Sequence, residues 1–130
     1  MYVLNTANWE WTKLEMSGMI PEPRAGHSMC VINRNILIYG GWSSKTQFNN
    51  CSMFNTETLE WTDPELFHGE PRRNHAAIFV EAIPSNKYFI FGGSCAEFEE
   101  GQHRHLGEYS SEMLCIDINT MTFSSVHLED

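Results

Sequence analysis

The sequence predicts an all-β fold built from repeated units of four antiparallel strands. A phrase that opens with Pro-Arg-x-x-His and ends at Gly-Gly occurs at residues 23–41 and again at 71–93. Short apolar runs alternate with polar turns on both sides of these phrases. A self-similar period of about 50 residues indicates a repeat protein, and short strands separated by turns make each repeat a small β-sheet.

The chain divides into three consecutive segments. Residues 1–16 are interpreted as the second half of a unit, because the apolar run 2–4, an Asn/Thr turn and a segment centred on Trp11 form a hairpin pattern. Residues 23–66 and 71–128 are each interpreted as a complete unit. Residues 17–23, which contain Gly and Pro, are predicted to form a loop.

The strands of the complete units follow from their apolar runs. In the first unit they are predicted at 27–32, 36–39, 51–55 and 59–62, and the last two strands of the second unit are predicted at 113–118 and 123–128. The run 27–32 is apolar on both faces, which predicts a strand buried on both sides. The hairpin between the third and fourth strands occurs three times. In each copy the polar first residue lies six residues before the aromatic residue. The pairs are Asn5 with Trp11, Asn55 with Trp61, and Asp117 with Phe123.

Composition excludes several kinds of partner and location. Seventeen acidic and eight basic residues give a net charge of -9, which disfavours binding to nucleic acid and to anionic membranes. The sequence contains neither an apolar run of about 20 residues nor a signal-like N-terminus. We therefore expect a cytoplasmic protein, with the nucleus as the alternative, and four reduced cysteines. No metal or other cofactor is predicted, because the pair His103 and His105 lacks a third ligand at suitable spacing.

These features together resemble the kelch repeat, in which each repeat is one four-stranded blade of a β-propeller. The resemblance rests on Arg24, His27, Gly40, Gly41 and Trp61 in the first unit, and on Arg72, His75, Gly92 and Gly93 in the second, where Phe123 replaces the usual Trp. It covers nearly the whole chain and implies a fragment of a six- or seven-bladed propeller. We expect further blades, in the same chain or another, to complete the ring, because outer blades otherwise expose apolar faces.

The topology of an antiparallel blade indicates where a partner would bind. The loop that enters the first strand and the loop that leaves the second strand must lie on the same face. The resemblance to kelch proteins implies that partner peptides bind there. The predicted partner-binding residues are Arg73, Trp42, Ser43, Ser94, Arg72, His103, Arg104 and His105.

Each of these predictions has a plainer alternative. Arg73 is the strongest candidate, because Arg binds carboxylates and stacks on aromatic rings, although a solvated loop arginine fits the same position. For Arg24 and Arg72 a structural role is favoured, in which each pairs with an acid or a carbonyl on a neighbouring blade. The loop that contains residues 103–105 is interpreted as a charged, solvated excursion, with a binding insert as the alternative.

The predicted function is a protein–protein interaction module or scaffold that binds a peptide or protein partner. The kelch resemblance also offers the substrate-recognition part of a cullin ubiquitin-ligase receptor, some of which capture a chain terminus. A third alternative is a propeller enzyme of the copper oxidase or sugar-acid isomerase type. The sequence places no Ser-His-Asp set and no carboxylate pair in one pocket, so we do not predict an enzyme.

Overall fold

A computed structural model describes residues 1–62, 69–95 and 108–126 of the chain. This part is all-β, as predicted, and it contains no helix. Its strands are β1 (Tyr2–Asn5), β2 (Glu10–Lys13), β3 (Ser17–Gly18), β4 (Ser28–Ile32), β5 (Asn35–Tyr39), β6 (Cys51–Asn55), β7 (Glu60–Trp61), β8 (Ala76–Val80), β9 (Lys87–Phe91), β10 (Met113–Asp117) and β11 (Thr122–Val126).

The strands form three sheets that follow the sequence repeat. Strands β1 and β2 form an antiparallel hairpin. Strands β4 to β7 form the first blade, with β3 added beside β7 at the outer edge, and β8 to β11 form the second blade. Within each blade consecutive strands pair antiparallel, so that β4 and β8 are the first strands of their sheets and contact each other.

The main core lies between the two blades. Strand β5 contributes Leu37 and Tyr39, and strands β9 and β10 contribute Tyr88, Ile90 and Leu114, all of them fully buried. A second cluster on the other face of the first blade packs Phe54 and Trp61 against the segment that follows the β1–β2 hairpin. Burial of large apolar side chains in these two layers holds the blades face to face.

The thrice-repeated hairpin pattern has a structural explanation. The Asn or Asp at its start accepts backbone N–H groups of the turn through its side-chain oxygen, with N···O distances of 2.9–3.2 Å. Two residues before each aromatic, the backbone takes a left-handed φ of 52–59°, at Trp9, Leu59 and Met121. Such a φ is uncommon outside glycine, so the Asx turn and the strand pairing together impose the conformation.

The structure corrects two local predictions. The segment 17–23 is not entirely loop, because Ser17 and Gly18 pair parallel with β7. Gly18 allows this contact, since a Cβ on it would lie 2.2 Å from the carbonyl oxygen of Trp61. Strand β4 is not buried on both sides, because Met29 and Val31 are 58% and 64% exposed.

Other sequence expectations concern the strand ends and the cysteines. The fourth strand of the first blade is shorter than predicted, spanning Glu60–Trp61. All four cysteines are free thiols. In the described part of the chain, no helix is long and apolar enough to cross a membrane.

Candidate binding face

The glycine pairs that end β5 and β9 fix the loops of the candidate face. Gly40 has a φ of +66°, and a Cβ on it would lie 2.3 Å from the carbonyl oxygen of Arg72. The next glycine, Gly41, donates its N–H to that same carbonyl at 2.8 Å. In the second blade, a Cβ on Gly93 would lie 2.5 Å from the carbonyl oxygen of Arg73, as a Cβ on the equivalent Gly41 would lie 2.8 Å from that of Ala25. Only glycine allows such close backbone contact at a positive φ.

Each glycine pair is followed by a β-bridge to the loop that enters its blade. Ala25 bridges to Trp42 in the first blade, and Arg73 bridges to Ser94 in the second. A second bridge then closes the outgoing loop, from Trp42 to Gln47 and from Ser94 to Tyr109. The incoming and outgoing loops of each blade therefore meet on one face, as the strand topology predicts. We call this surface the loop face.

The loop face joins the two blades through Arg73 and Trp42. The guanidinium carbon of Arg73 lies 5.3 Å from the centroid of the Trp42 ring, a cation–π arrangement between neighbouring blades. Arg73 is only 6% exposed, so it is not the solvated loop arginine that the sequence also allowed. Its neighbour in the bridge, Ser94, is 4% exposed.

An open depression of about 460 Å³ lies beside this pair. Its floor and walls are mainly apolar, with a proline, an alanine and an indole among the serines, and it is lined by Pro23, Arg24, Ala25, Trp42, Ser43 and Ser44. The hydroxyl of Ser43 accepts the backbone N–H groups of Lys45 and Thr46 at 3.3 Å, which holds the short loop in a turn. Trp42 and Ser43 are both among the predicted partner-binding residues.

A second depression of about 440 Å³ lies over the second blade. Its rim carries the carboxylates of Glu70, Glu108 and Glu112, and Tyr109 stands beside them, 84% exposed. Arg72 lies at its base, 2% exposed, with one guanidinium nitrogen 3.0 Å from Glu70 and 3.3 Å from Glu112. This cation therefore holds two of the three carboxylates in place.

The motif arginines have the structural partners that the sequence favoured, but within their own blades. Arg24 donates to the carbonyl of Gly40 at 3.1 Å and to the side-chain oxygen of Asn50 at 2.9 Å, and it stacks on Phe48. Burial lowers the pKa of Arg24. Because Asn50 and Glu112 immediately precede the third strands of their respective blades, the prediction of a partner on a neighbouring blade was wrong.

The two motif histidines lie beneath the loop face. The ring nitrogen Nε2 of His75 lies 2.6 Å from the hydroxyl of Ser28 on β4. Burial, together with the positive charges of Arg72 and His27, lowers the pKa of His75 to about 4. Among the residues that the structure describes, no group of three His, Cys, Asp or Glu side chains is arranged to hold a metal ion. His103, Arg104 and His105 lie outside the described residues.

Sequence reasoning missed two residues of this face. Gln47 and Tyr109 close the outgoing loops through the second bridge of each blade, and neither belongs to the repeated phrase. Their separations from the glycine pairs differ between the two blades. The signal that could have found them is their position four residues before the third strand, which begins at Cys51 in the first blade and at Met113 in the second.

Comparison with known proteins finds a matching family and several similar proteins. The family model described as the KLHDC2/KLHL20/DRC7 Kelch-repeats domain matches residues 1–130. Kelch domain-containing protein 1 of Mus musculus is 30% identical over 75% of this chain and 24% of its own length. The Rab9 effector protein with kelch motifs of Homo sapiens is 31% identical over 72% of this chain and 26% of its own length. The chain thus spans about a quarter of these relatives.

Proposed function

Since the chain belongs to the kelch-repeat family described as the KLHDC2/KLHL20/DRC7 Kelch-repeats domain, we propose that it is a protein-interaction module that binds a peptide segment of a partner on its loop face. The observation that supports this most directly is the Arg73–Trp42 stack beside the apolar depression. Arg and Trp are the residue types that most often dominate binding energy at interfaces. One relative is named an effector protein with kelch motifs, which is consistent with such a role.

The stack is suited to binding because it is already ordered. The backbone of Arg73 forms two hydrogen bonds with Ser94, at 3.1 and 3.0 Å, and its buried side chain lies over the indole of Trp42. An arginine fixed in this way loses little side-chain entropy when a partner arrives. The depression next to it offers apolar surface for a neighbouring side chain of the same partner.

A selection from a library of displayed peptides tests the proposal. We expect selected peptides to bind the Arg73→Lys variant at least about tenfold more weakly than the original chain, because Lys keeps the charge but loses the planar fork. Arg34→Lys is the matched control, since Arg34 lies in the turn at the opposite end of the blade and its side chain is 72% exposed. A library that yields no binder, or binders indifferent to Arg73, would contradict the proposal.

We also propose that a further kelch blade covers the free face of the second blade. Phe89 and Phe91 occupy the positions that Leu37 and Tyr39 hold in the first blade, and those two are fully buried by the second blade. Phe91 is 50% exposed and Ile78, on the same face, is 63% exposed. A Phe91→Glu variant should prevent joining of a separately expressed or tethered next blade, whereas Ile83→Glu, at a fully exposed turn residue, should not.

A further inference from the structure

Four residues from two blades form a cluster under the loop face. Trp42 and Gln47 come from the first blade, and Arg73 and Ser94 come from the second. The side-chain amide nitrogen of Gln47 donates to the backbone carbonyl of Ser94 at 2.6 Å. The same carbonyl accepts the backbone N–H of Arg73 at 3.1 Å, so Gln47 and Arg73 donate to one oxygen.

The cluster contains polar groups that the described residues leave without partners. The side-chain oxygen of Gln47 and the hydroxyl of Ser94 are buried, and neither has a hydrogen-bond partner in the described part of the chain. The guanidinium of Arg73 forms no hydrogen bond or ion pair with any described residue, and it lies over the Trp42 ring at 5.3 Å. Buried polar groups are almost always satisfied, so an unsatisfied group in a native protein requires an explanation.

The orientation of these groups specifies the chemistry of a ligand. The carbonyl of Ser94 can only accept, so the Gln47 amide must present its nitrogen to Ser94 and its oxygen to the other side. That oxygen requires a donor. Arg73 offers donors, and the Ser94 hydroxyl can also donate, so the group that meets them must be an acceptor. An oxygen acceptor adjacent to an N–H donor is the repeating pattern of a peptide backbone.

We propose that Gln47 is a specificity-determining residue that accepts a backbone N–H of the bound partner, while Arg73 and Ser94 donate to the neighbouring carbonyl or carboxylate oxygen. This inference rests on the proposed function, because it concerns the same face. It adds that the partner is recognised through its main chain at this point. The partner's side chains then select among peptides in the adjacent depression.

Small model compounds test the donor requirement directly. N-acetylglycine carries an N–H beside a carboxylate, and O-acetylglycolate replaces that N–H with an ester oxygen. Binding is followed through the NMR resonances of the Gln47 and Arg73 side-chain N–H groups. On the original chain we expect N-acetylglycine to bind about tenfold more tightly than the ester, because the ester leaves the Gln47 oxygen unsatisfied. N-acetylglycinamide distinguishes an internal peptide oxygen from a free terminal carboxylate.

The variants separate recognition from structure. Gln47→Met removes the acceptor while keeping a side chain of similar length, so the preference for N–H over ester should disappear. Ser94→Ala should weaken all three compounds and leave thermal stability unchanged or raised, since it removes an unsatisfied buried hydroxyl. Equal binding of amide and ester to the original chain, no binding of any compound, or a preference that survives in Gln47→Met would overturn the proposal.

The outcome for Gln47 can be told apart from the outcome for the loop face as a whole. If displayed peptides depend on Arg73 but bind the Gln47→Met variant normally, the loop face remains the binding surface and the role of Gln47 is wrong. If they depend on neither residue, both proposals fail.

Discussion

Ser28 and His75 connect the first strands of the two blades through a contact of 2.6 Å between the serine hydroxyl and the Nε2 of the imidazole. The histidine immediately precedes β8, and the serine is the first residue of β4. The ring also packs edge-on against Tyr39, with centroids 5.6 Å apart. A neutral imidazole is therefore part of the interface between the blades.

The stability of the chain should fall as pH drops from about 6.5 toward 4. Burial lowers the pKa of His75 to about 4 in the folded chain, against 6.5 when unfolded, so the unfolded state takes up the proton first. The contribution of His75 to stability is therefore complete above pH 6.5, declines between pH 6.5 and about 4, and changes no further below that. Urea unfolding at several pH values between 7.5 and 5 measures this slope. His75→Gln should flatten it, and an unchanged slope in that variant would show that other groups dominate.

Gly93→Ala should destabilise the chain more than Gly92→Ala. Both glycines have positive φ, +80° and +67°, so both substitutions incur a backbone cost of about 1–2 kcal/mol. A Cβ on Gly93 would lie 2.5 Å from the carbonyl of Arg73, whereas a Cβ on Gly92 would be in ordinary contact at 3.5 Å. The clash should add about 1 kcal/mol or more. Denaturant midpoints of the two variants test this, and equal losses would rule out the close backbone approach.

Trp61→Ala should cost about 3–5 kcal/mol of unfolding free energy, because this ring is 8% exposed and packs on Phe54 at 5.0 Å. Its indole N–H also points at the sulfur of Met16 at 3.3 Å. Trp11 occupies the same position in the hairpin pattern but is 67% exposed, so Trp11→Ala should cost less than about 1 kcal/mol. Chemical denaturation of the two variants measures both losses of unfolding free energy. Similar losses would contradict the finding that Trp61 is buried and Trp11 is exposed.

Arg72→Gln should lower the unfolding free energy by about 2 kcal/mol, because it removes charge-assisted contacts to Glu70 and Glu112 made by a side chain that is 2% exposed. Arg34→Gln removes an ion pair with Glu57 in which both side chains are largely exposed, and it should change stability by less than about 0.5 kcal/mol. Thermal unfolding at matched salt distinguishes the two. Comparable effects would mean that Arg72 is not the structural residue described above.

The repeated units and their hairpins could be predicted because their determinants are local. Apolar runs, turn residues and the Asn or Asp that caps each turn all lie within a few residues of the strands they define. The pairing of Ser17 and Gly18 with β7 was missed because it joins segments that are distant in sequence. The short strand itself has no apolar pattern.

The candidate site was predictable only in part. Trp42, Ser43 and Ser94 follow from their positions just after the repeated phrase, and Arg73 follows from its position inside it. The structure places Arg73 and Trp42 in contact. The burial of Arg73 and the contribution of Gln47 depend on how one blade docks against the next. Such contacts are set by three-dimensional packing, so no pattern within one repeat encodes them.

Two β-bridges follow each glycine pair, so the two ends of the outgoing loop are anchored whatever the length of the loop between them. Residues 43–46 are enclosed by the bridges at Trp42 and Gln47, and the much longer segment 95–108 is enclosed by the equivalent bridges at Ser94 and Tyr109. The same backbone frame thus accepts inserts of very different size at fixed exit points. This makes the scaffold a candidate for grafting, in which foreign sequences replace either insert while the blades beneath keep their hydrogen bonds.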